Sequence, residues 1–288
     1  MKIARTRGEL AAVLERERVD GAPLNLVPTM GALHEGHVSL IRAARSSGLV
    51  ALSIFVNPLQ FGPREDYRAY PRDEERDLAC AKSEGVAVVL APSVDDILGP
   101  DPTTTVSVGR LGDTVEGQAR PGHFDGVCTI VATLFNLFQP DRAFFGQKDA
   151  QQVAVIKKMT ADLGWPVEIV VCPTIREPDG LAKSSRNAYL QGEDRERATA
   201  LWRALRDGRD ALSNGRDLES VETVMLDALR STPGVEPEYG RAVNPDTFER
   251  PAPGGPVLLV VAATIGGTRL IDNLLVQGPS GGRDAISG

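Results

Sequence analysis

The first 172 residues alternate short, unbroken apolar runs with helix-period segments, and this alternation constrains the fold more than any other feature. Leu24–Val27, Val50–Val56, Val86–Ala91, Ala143–Phe145 and Val167–Cys172 have no polar face. A strand without a polar face has to be covered on both sides, which a parallel sheet with helices on each face provides. The helical patterns fall between the runs, at Gly36–Arg45, Asp73–Glu84, Asp125–Phe138 and Gln151–Leu163. A first helix, ending about Glu17, opens on Thr6 with Glu9 three residues later, a capping-box pattern. Thr103–Val108 alternates and reads as an edge strand.

After Pro173 the order changes. Two helical patterns, Asp194–Leu212 and Leu218–Leu229, precede three strand patterns, Tyr239–Val243, Val257–Ala263 and Arg269–Val276. Strands grouped after helices indicate an α+β domain. The reading is therefore a Rossmann-like α/β domain over residues 1–175 and a smaller α+β domain over 176–277. A Gly- and Ser-rich tail, 278–288, is expected to be disordered.

Composition narrows the partners. A net charge of −7 over 288 residues argues against a general nucleic-acid surface, which needs a basic face. No apolar run approaches the ~18 residues of a membrane span. Met1–Leu14 is charged and lacks the apolar core of a signal peptide, so the expectation is a cytoplasmic protein. Cys80, Cys128 and Cys172 are three and widely spaced, and read as buried small hydrophobes in a reducing compartment.

Five segments carry chemistry. Pro28-Thr29-Met30-Gly31-Ala32-Leu33-His34-Glu35-Gly36-His37 runs from a strand into a helix. Its glycines allow close backbone approach, and amide groups at a helix start attract anions. His34 and His37, three apart, share one face of the first turn and can donate to phosphate oxygens. Histidine spacing excludes the zinc-protease motif, which places them four apart. Lys183-Ser184-Ser185-Arg186 pairs two cations with two hydroxyls, a composition suited to polyphosphate. Gly146-Gln147-Lys148-Asp149 follows an apolar strand, at the end where open α/β sheets bind ligands, with Gln151 and Gln152 close behind. Asn57 and Gln60, in Phe55–Phe61, are amides able to read a hydroxylated substrate. Glu116–Phe124 mixes Gly, Pro and charge, as a substrate-covering loop does. Taken alone, these residues leave an adenylate-forming ligase, a nucleotidyltransferase and a non-catalytic ATP-binding protein open.

In this order the motifs Pro-Thr-Met-Gly-x-Leu-His-x-Gly-His, Phe-Val-Asn-Pro-x-Gln-Phe, Arg-Pro-Gly-His-Phe, Phe-Phe-Gly-x-Lys-Asp-x-Gln-Gln and Gly-Leu-Ala-x-Ser-Ser-Arg-Asn resemble the pantothenate synthetases (pantoate–β-alanine ligases), over about residues 1–277. Thr268–Asn273 resembles that family's C-terminal domain. The first and fifth motifs are the two signatures of the class I nucleotidyl-transfer fold.

The resemblance implies that ATP and pantoate form pantoyl adenylate and pyrophosphate with Mg²⁺, and that β-alanine then releases AMP and pantothenate. It implies that Pro28, Thr29, Met30, Gly31, Ala32, Leu33, His34, Gly36 and His37 form the first ATP segment. Gly146, Gln147, Lys148 and Asp149 form the second, and Lys183, Ser184, Ser185 and Arg186 the third, with Ile175 touching the nucleotide. His37 is the implied proton donor, and His34, Lys148 and Arg186 act with it. Gln60 and Gln152 match pantoate positions, and Gln60 also faces β-alanine. Mg²⁺ is implied to enter mainly on the ATP phosphates, with Asp77 a candidate near it. A homodimer with a C-terminal lid completes the expectation.

Overall fold

A computed structural model describes residues 1–18, 21–63 and 65–276. The expectation of a disordered tail at 278–288 lies outside the described residues. By internal contacts the chain divides between Ala188 and Tyr189, so residues 176–188 cluster with the first unit.

The first unit contains β1 (Lys2–Ala4), α1 (Arg7–Glu17), β2 (Leu24–Thr29), α2 (Glu35–Arg45), β3 (Leu49–Ile54), α3 (Glu74–Ser83), β4 (Val88–Leu90), α4 (Val94–Leu98), α5 (Glu116–Ala119), α6 (His123–Phe138), β5 (Arg142–Gly146), α7 (Ala150–Asp162) and β6 (Glu168–Cys172). Its six strands form one sheet in the order β1-β4-β3-β2-β5-β6, and every pairing is parallel.

Period-2 side-chain alternation explains the unbroken apolar runs. Leu24 and Leu26 of β2, Val88 and Leu90 of β4, and Ala143 and Phe145 of β5 join one core with α1, α6 and α7. Their neighbours Val27, Val89 and Phe144 join a second core with Leu40, Ile41 and Ala44 of α2 and Ala81 of α3. Both faces are buried, as the runs require. From β2 the chain adds β3 and β4 in one direction, then crosses to β5 and β6 on the other side. The order reverses between β2 and β5, so a crevice opens at their carboxyl ends.

Two sequence expectations are corrected here. Thr103–Val108 forms no strand. Val106 gives its N–H to the Thr129 hydroxyl of α6 at 2.9 Å and packs with Val108 on the core, so α6 satisfies a segment that alternation alone assigned to the sheet. Asp194–Leu212 is two helices, α8 (Glu193–Arg197) and α9 (Ala200–Ser213). Between them Thr199 N–H bonds back three residues to Glu196 and Leu201 to Ala198, a tightening that interrupts the four-residue ladder.

The second unit continues with α10 (Leu218–Arg230), β7 (Val235–Val243), β8 (Val257–Ile265) and β9 (Thr268–Val276). Its strands form an antiparallel sheet in the order β7-β8-β9, with α9 and α10 packed on it. Among the described residues no helix is long and apolar enough to cross a membrane.

Candidate active site

The crevice between the carboxyl ends of β2 and β5 is a cleft of about 220 Å³, lined entirely from the first unit. β2 delivers Pro28 and Thr29 to its edge, and the turn that follows, opening with Met30, carries the chain into α2. That turn needs unusual backbone. Gly31 has φ 79° and Ala32 φ 49°, in the left-handed region that a side chain disfavours. Asp77, reaching over from α3, holds it there: its two carboxylate oxygens accept the Leu33 N–H at 2.7 Å and the Ala32 N–H at 2.8 Å. Asp77 is buried and is not among the residues lining the cleft, and each of its oxygens is bonded to the turn. Thr29 adds a second tie, accepting from Gly31 N–H and donating to the Ser53 carbonyl.

His34 caps α2. Its Nδ1 accepts the Gly36 N–H at 3.1 Å, and His37 Nδ1 accepts the His34 N–H at 3.3 Å. A backbone N–H only donates, so both imidazoles carry their proton on Nε2. The rings lie 4.1 Å apart, tilted by 30°. A side chain at position 36 would put its Cβ 2.8 Å from the His34 ring, so only glycine fits. Burial pushes His37 down to about 3, aided by the fields of His34 and Lys148. Burial and then Lys148 push His34 down to about 4. Both rings are therefore neutral at pH 7, and both line the cleft.

The cations arrive from two other segments. Lys148 follows β5, 3.4 Å from Asp149. Lys183 and Arg186 come from a hairpin-like turn in which Lys183 N–H bonds the Ile175 carbonyl at 2.9 Å. Ser185 in that turn donates to the Ala32 carbonyl at 3.2 Å, tying this segment to the histidine turn. Each cation has a carboxylate partner: Lys183 pairs with Glu177 at 2.7 Å, and Arg186 with Asp66 through two bonds of 2.8 and 3.1 Å.

Of the expected site residues, Pro28, Thr29, Met30, His34, Gly36, His37, Asn57, Gln60, Gly146, Lys148, Asp149, Gln152, Ile175, Lys183, Ser184, Ser185 and Arg186 line this one cleft. Gly31, Ala32, Leu33 and Gln147 are not among its lining; the first three shape the turn behind it. Asn57 is 1% exposed, and its amide is committed to Gly126, Leu59 and Gln60. Gln151 is likewise turned inward, onto Leu111, Thr114 and Glu116.

The Glu116–Phe124 segment does not cover the cleft as a loop. It forms α5 and the start of α6, with Glu116, Gly117, His123 and Phe124 buried. Arg120 and His123 of this segment do line the cleft, so its placement at the substrate is kept while its form as a loop is not; sequence reading singles out neither residue. It also missed Tyr70, whose ring lies 6.0 Å from the Arg186 guanidinium, and nothing in the local sequence marks that residue.

The family model for pantoate-beta-alanine ligase matches residues 2–275. The chain is 49% identical over 272 residues to the pantothenate synthetase of Caldicellulosiruptor saccharolyticus, covering 93% of this chain and 97% of that one. It is 50% identical over 294 residues to that of Nocardioides sp., covering 97% and 87%. Among solved structures, pantothenate synthetase from Thermus thermophilus superposes with a TM-score of 0.88 at 45% identity, over 95% of this chain and 99% of that one. The pantoate-beta-alanine ligase from Francisella tularensis, complexed with β-γ ATP and β-alanine, gives a TM-score of 0.81 at 34% identity, over 96% and 97%. With a parallel sheet whose switch point holds paired histidines beside Lys148, Lys183 and Arg186, and a family match along nearly its whole length, the chain belongs to the pantoate–β-alanine ligase family.

Proposed function

We propose that the chain's pantoate–β-alanine ligase activity runs through a pantoyl adenylate held in this cleft. One observation carries the assignment: two neutral imidazoles, each with Nδ1 accepting a backbone N–H and so with its proton on Nε2, share a cleft with Lys148, Lys183 and Arg186. In the first step a pantoate carboxylate oxygen bonds to the α-phosphorus of ATP, and the bond to the pyrophosphate oxygen breaks. No proton moves in that step. The need is to neutralise two anions as they meet, which positively charged and N–H donors supply.

We accordingly assign His37 and His34 as donors to the α-phosphate oxygens; the proton-donor role that the resemblance implies for His37 is read here as hydrogen-bond donation, because the step itself moves no proton. Lys148, Lys183 and Arg186 exchange their carboxylate partners for phosphate oxygens, and Ser184 and Ser185 donate alongside them. The main chain at Met30, Gly36, Gly146 and Ile175 borders the nucleotide. Gln60 and Gln152 hold pantoate, with β-alanine entering beside Gln60. The amine of β-alanine then bonds to the acyl carbon, the acyl–phosphate bond breaks, AMP leaves and the amine loses a proton.

Among the described residues no group of three or more His, Cys, Asp or Glu is placed to hold a metal ion. We assign Mg²⁺ mainly to the triphosphate as part of the substrate, because this ion is typically held by substrate phosphates, waters and at most one or two carboxylates. The family resemblance also suggests a homodimer, which sedimentation at micromolar concentration tests directly.

The test is product analysis. Purified protein with ATP, pantoate and β-alanine is expected to release AMP, pyrophosphate and pantothenate in equal amounts. With ATP and pantoate alone, it is expected to form enzyme-bound pantoyl adenylate. A product that retains the nucleotide, or AMP release that ignores pantoate, overturns the proposal.

A further inference from the structure

Arg120 lines the cleft and looks like a carboxylate clamp, but its donors are already spent. A guanidinium has five N–H bonds. Nε donates to Glu65 Oε1 at 2.8 Å, and Nη2 to Glu65 Oε2 at 2.5 Å and to the Gln60 carbonyl at 3.3 Å. Nη1 meets Glu116 Oε1 at 3.5 Å and His123 Nε2 at 3.0 Å. The side chain is 12% exposed, between two carboxylates.

His123 continues the chain. Its Nδ1 lies 2.8 Å from the Gln60 carbonyl. Arginine only donates and a carbonyl only accepts, so the ring is neutral with its proton on Nδ1. The Gln60 carbonyl thus receives two hydrogens, from His123 and from Arg120. Behind the same turn, a Cβ at Gly126 would fall 2.2 Å from the Leu59 carbonyl oxygen and 2.6 Å from Gln60 N, so α6 lies directly against it.

The orientation of the Gln60 side chain follows from the same logic. Asn57 accepts from Leu59 N–H through Oδ1 and donates through Nδ2 to the Gly126 carbonyl at 3.0 Å. Both partners are backbone groups of single polarity, so the Asn57 amide has one orientation. Its remaining N–H goes to Gln60 Oε1 at 3.0 Å, leaving Gln60 Nε2 beside Met30 Sδ at 3.1 Å, a weak acceptor. Gln60 and Met30 both line the cleft, so a ligand meets the N–H side of the Gln60 amide.

We propose that Arg120 and His123 are positioning residues for Gln60, fixing its main chain so that its amide presents a donor to an acceptor oxygen, carboxylate or hydroxyl, of the acyl substrate. This rests on the proposed function, which makes that substrate pantoate. Neither residue touches the reacting atoms; both act through the Gln60 carbonyl.

The experiment compares KM for pantoate, KM for ATP and kcat in the wild type and in His123→Ala, His123→Asn and His123→Gln, with thermal melts as the fold control. His123→Ala is expected to raise KM for pantoate about tenfold, the scale of one lost orienting hydrogen bond, while KM for ATP stays within about twofold. Asn places an amide N–H near the Nδ1 position and is expected to recover most of the pantoate affinity. Gln reaches toward the Nε2 position and is expected to recover little. If the alanine variant does not fold, the Asn and Gln pair carries the comparison alone. Equal changes in both KM values, no change in either, or Asn and Gln behaving alike overturns the inference. If the wild type itself releases no AMP with pantoate and β-alanine, the proposed function falls and the inference with it. An active wild type without a pantoate-specific effect removes the inference only.

Discussion

Mild acid is expected to destabilise the first unit steeply, because all three histidines of the chain fold there in the neutral form. His34 is pushed down to about 4, His37 to about 3 and His123 to about 4, with burial the leading cause for each. In the unfolded chain each titrates near 6.5. Between those values the unfolded state binds protons that the folded state does not, so stability is intact above about pH 6.5 and falls as pH drops below it. Three protons at ~1.36 kcal/mol per pH unit set a limiting slope of ~4 kcal/mol per pH unit. From pH 7 to 5.5 the integrated loss is about 4 kcal/mol, a large share of the 5–15 kcal/mol that holds a typical domain. The carboxylates held low by arginine partners, Glu65, Asp66, Glu74 and Glu84, act in the same direction but below about pH 4.5, outside this window. Asp77, raised by burial, opposes the trend. The assay is urea unfolding at several pH values in a Trp202→Phe background. Trp165, edge-on to Phe135 at 5.7 Å, then reports the unit that carries the histidines. A stability flat between pH 7.5 and 5.5, or a slope worth less than one proton, refutes the neutral-imidazole reading and the hydrogen-bond roles built on it.

Three substitutions probe the site more locally. His37→Ala is expected to cut the single-turnover rate of pantoyl adenylate formation by ~10² or more in a protein that still folds, the scale of one lost transition-state donor, with a modest drop in thermal midpoint from the lost cap on the His34 N–H; a near-normal rate removes His37 from the mechanism. Asp77→Asn turns an NH2 toward an N–H that now has an acceptor, and is expected to cost about 1–3 kcal/mol in denaturant unfolding. An Asp77→Asn protein as stable as the wild type shows that the turn at Gly31–Leu33 holds without this carboxylate. Gly126→Ala forces a methyl into the Leu59 carbonyl and is expected to cost at least about 1–3 kcal/mol and to raise KM for pantoate through Gln60. An unchanged KM in a folded protein would separate the turn from the substrate.

Much of the sheet was legible because burial on both faces leaves a signature in one dimension. The runs at 24–27, 50–56 and 143–145 fall on β2, β3 and β5 within one or two residues at each end. Periodicity failed where the partner was not a strand. Thr103–Val108 alternates correctly for a strand, yet Thr129 of α6 takes its N–H. Spacing also does not say where an amide points. Asn57 and Gln60 looked equivalent as substrate readers, whereas Asn57 is spent on Gly126, Leu59 and Gln60 itself.

The sequence by itself determined the chemistry available: the strand-to-helix turn with its glycines, two histidines three apart, and the cations at 148, 183 and 186. These follow from covalent order, because a capped helix start sets its own local geometry. Tertiary structure decided everything that depends on residues far apart in the chain. Strand order β1-β4-β3-β2-β5-β6 brings Ala143 beside Leu26, and Ser185 reaches Ala32 across 153 positions. Burial within that assembly sets the neutral state of the imidazoles. Partner polarity sets where their protons sit. Neither quantity exists until the chain has folded, so the turn at His34–His37 is recognisable in the sequence while its working state belongs to the structure.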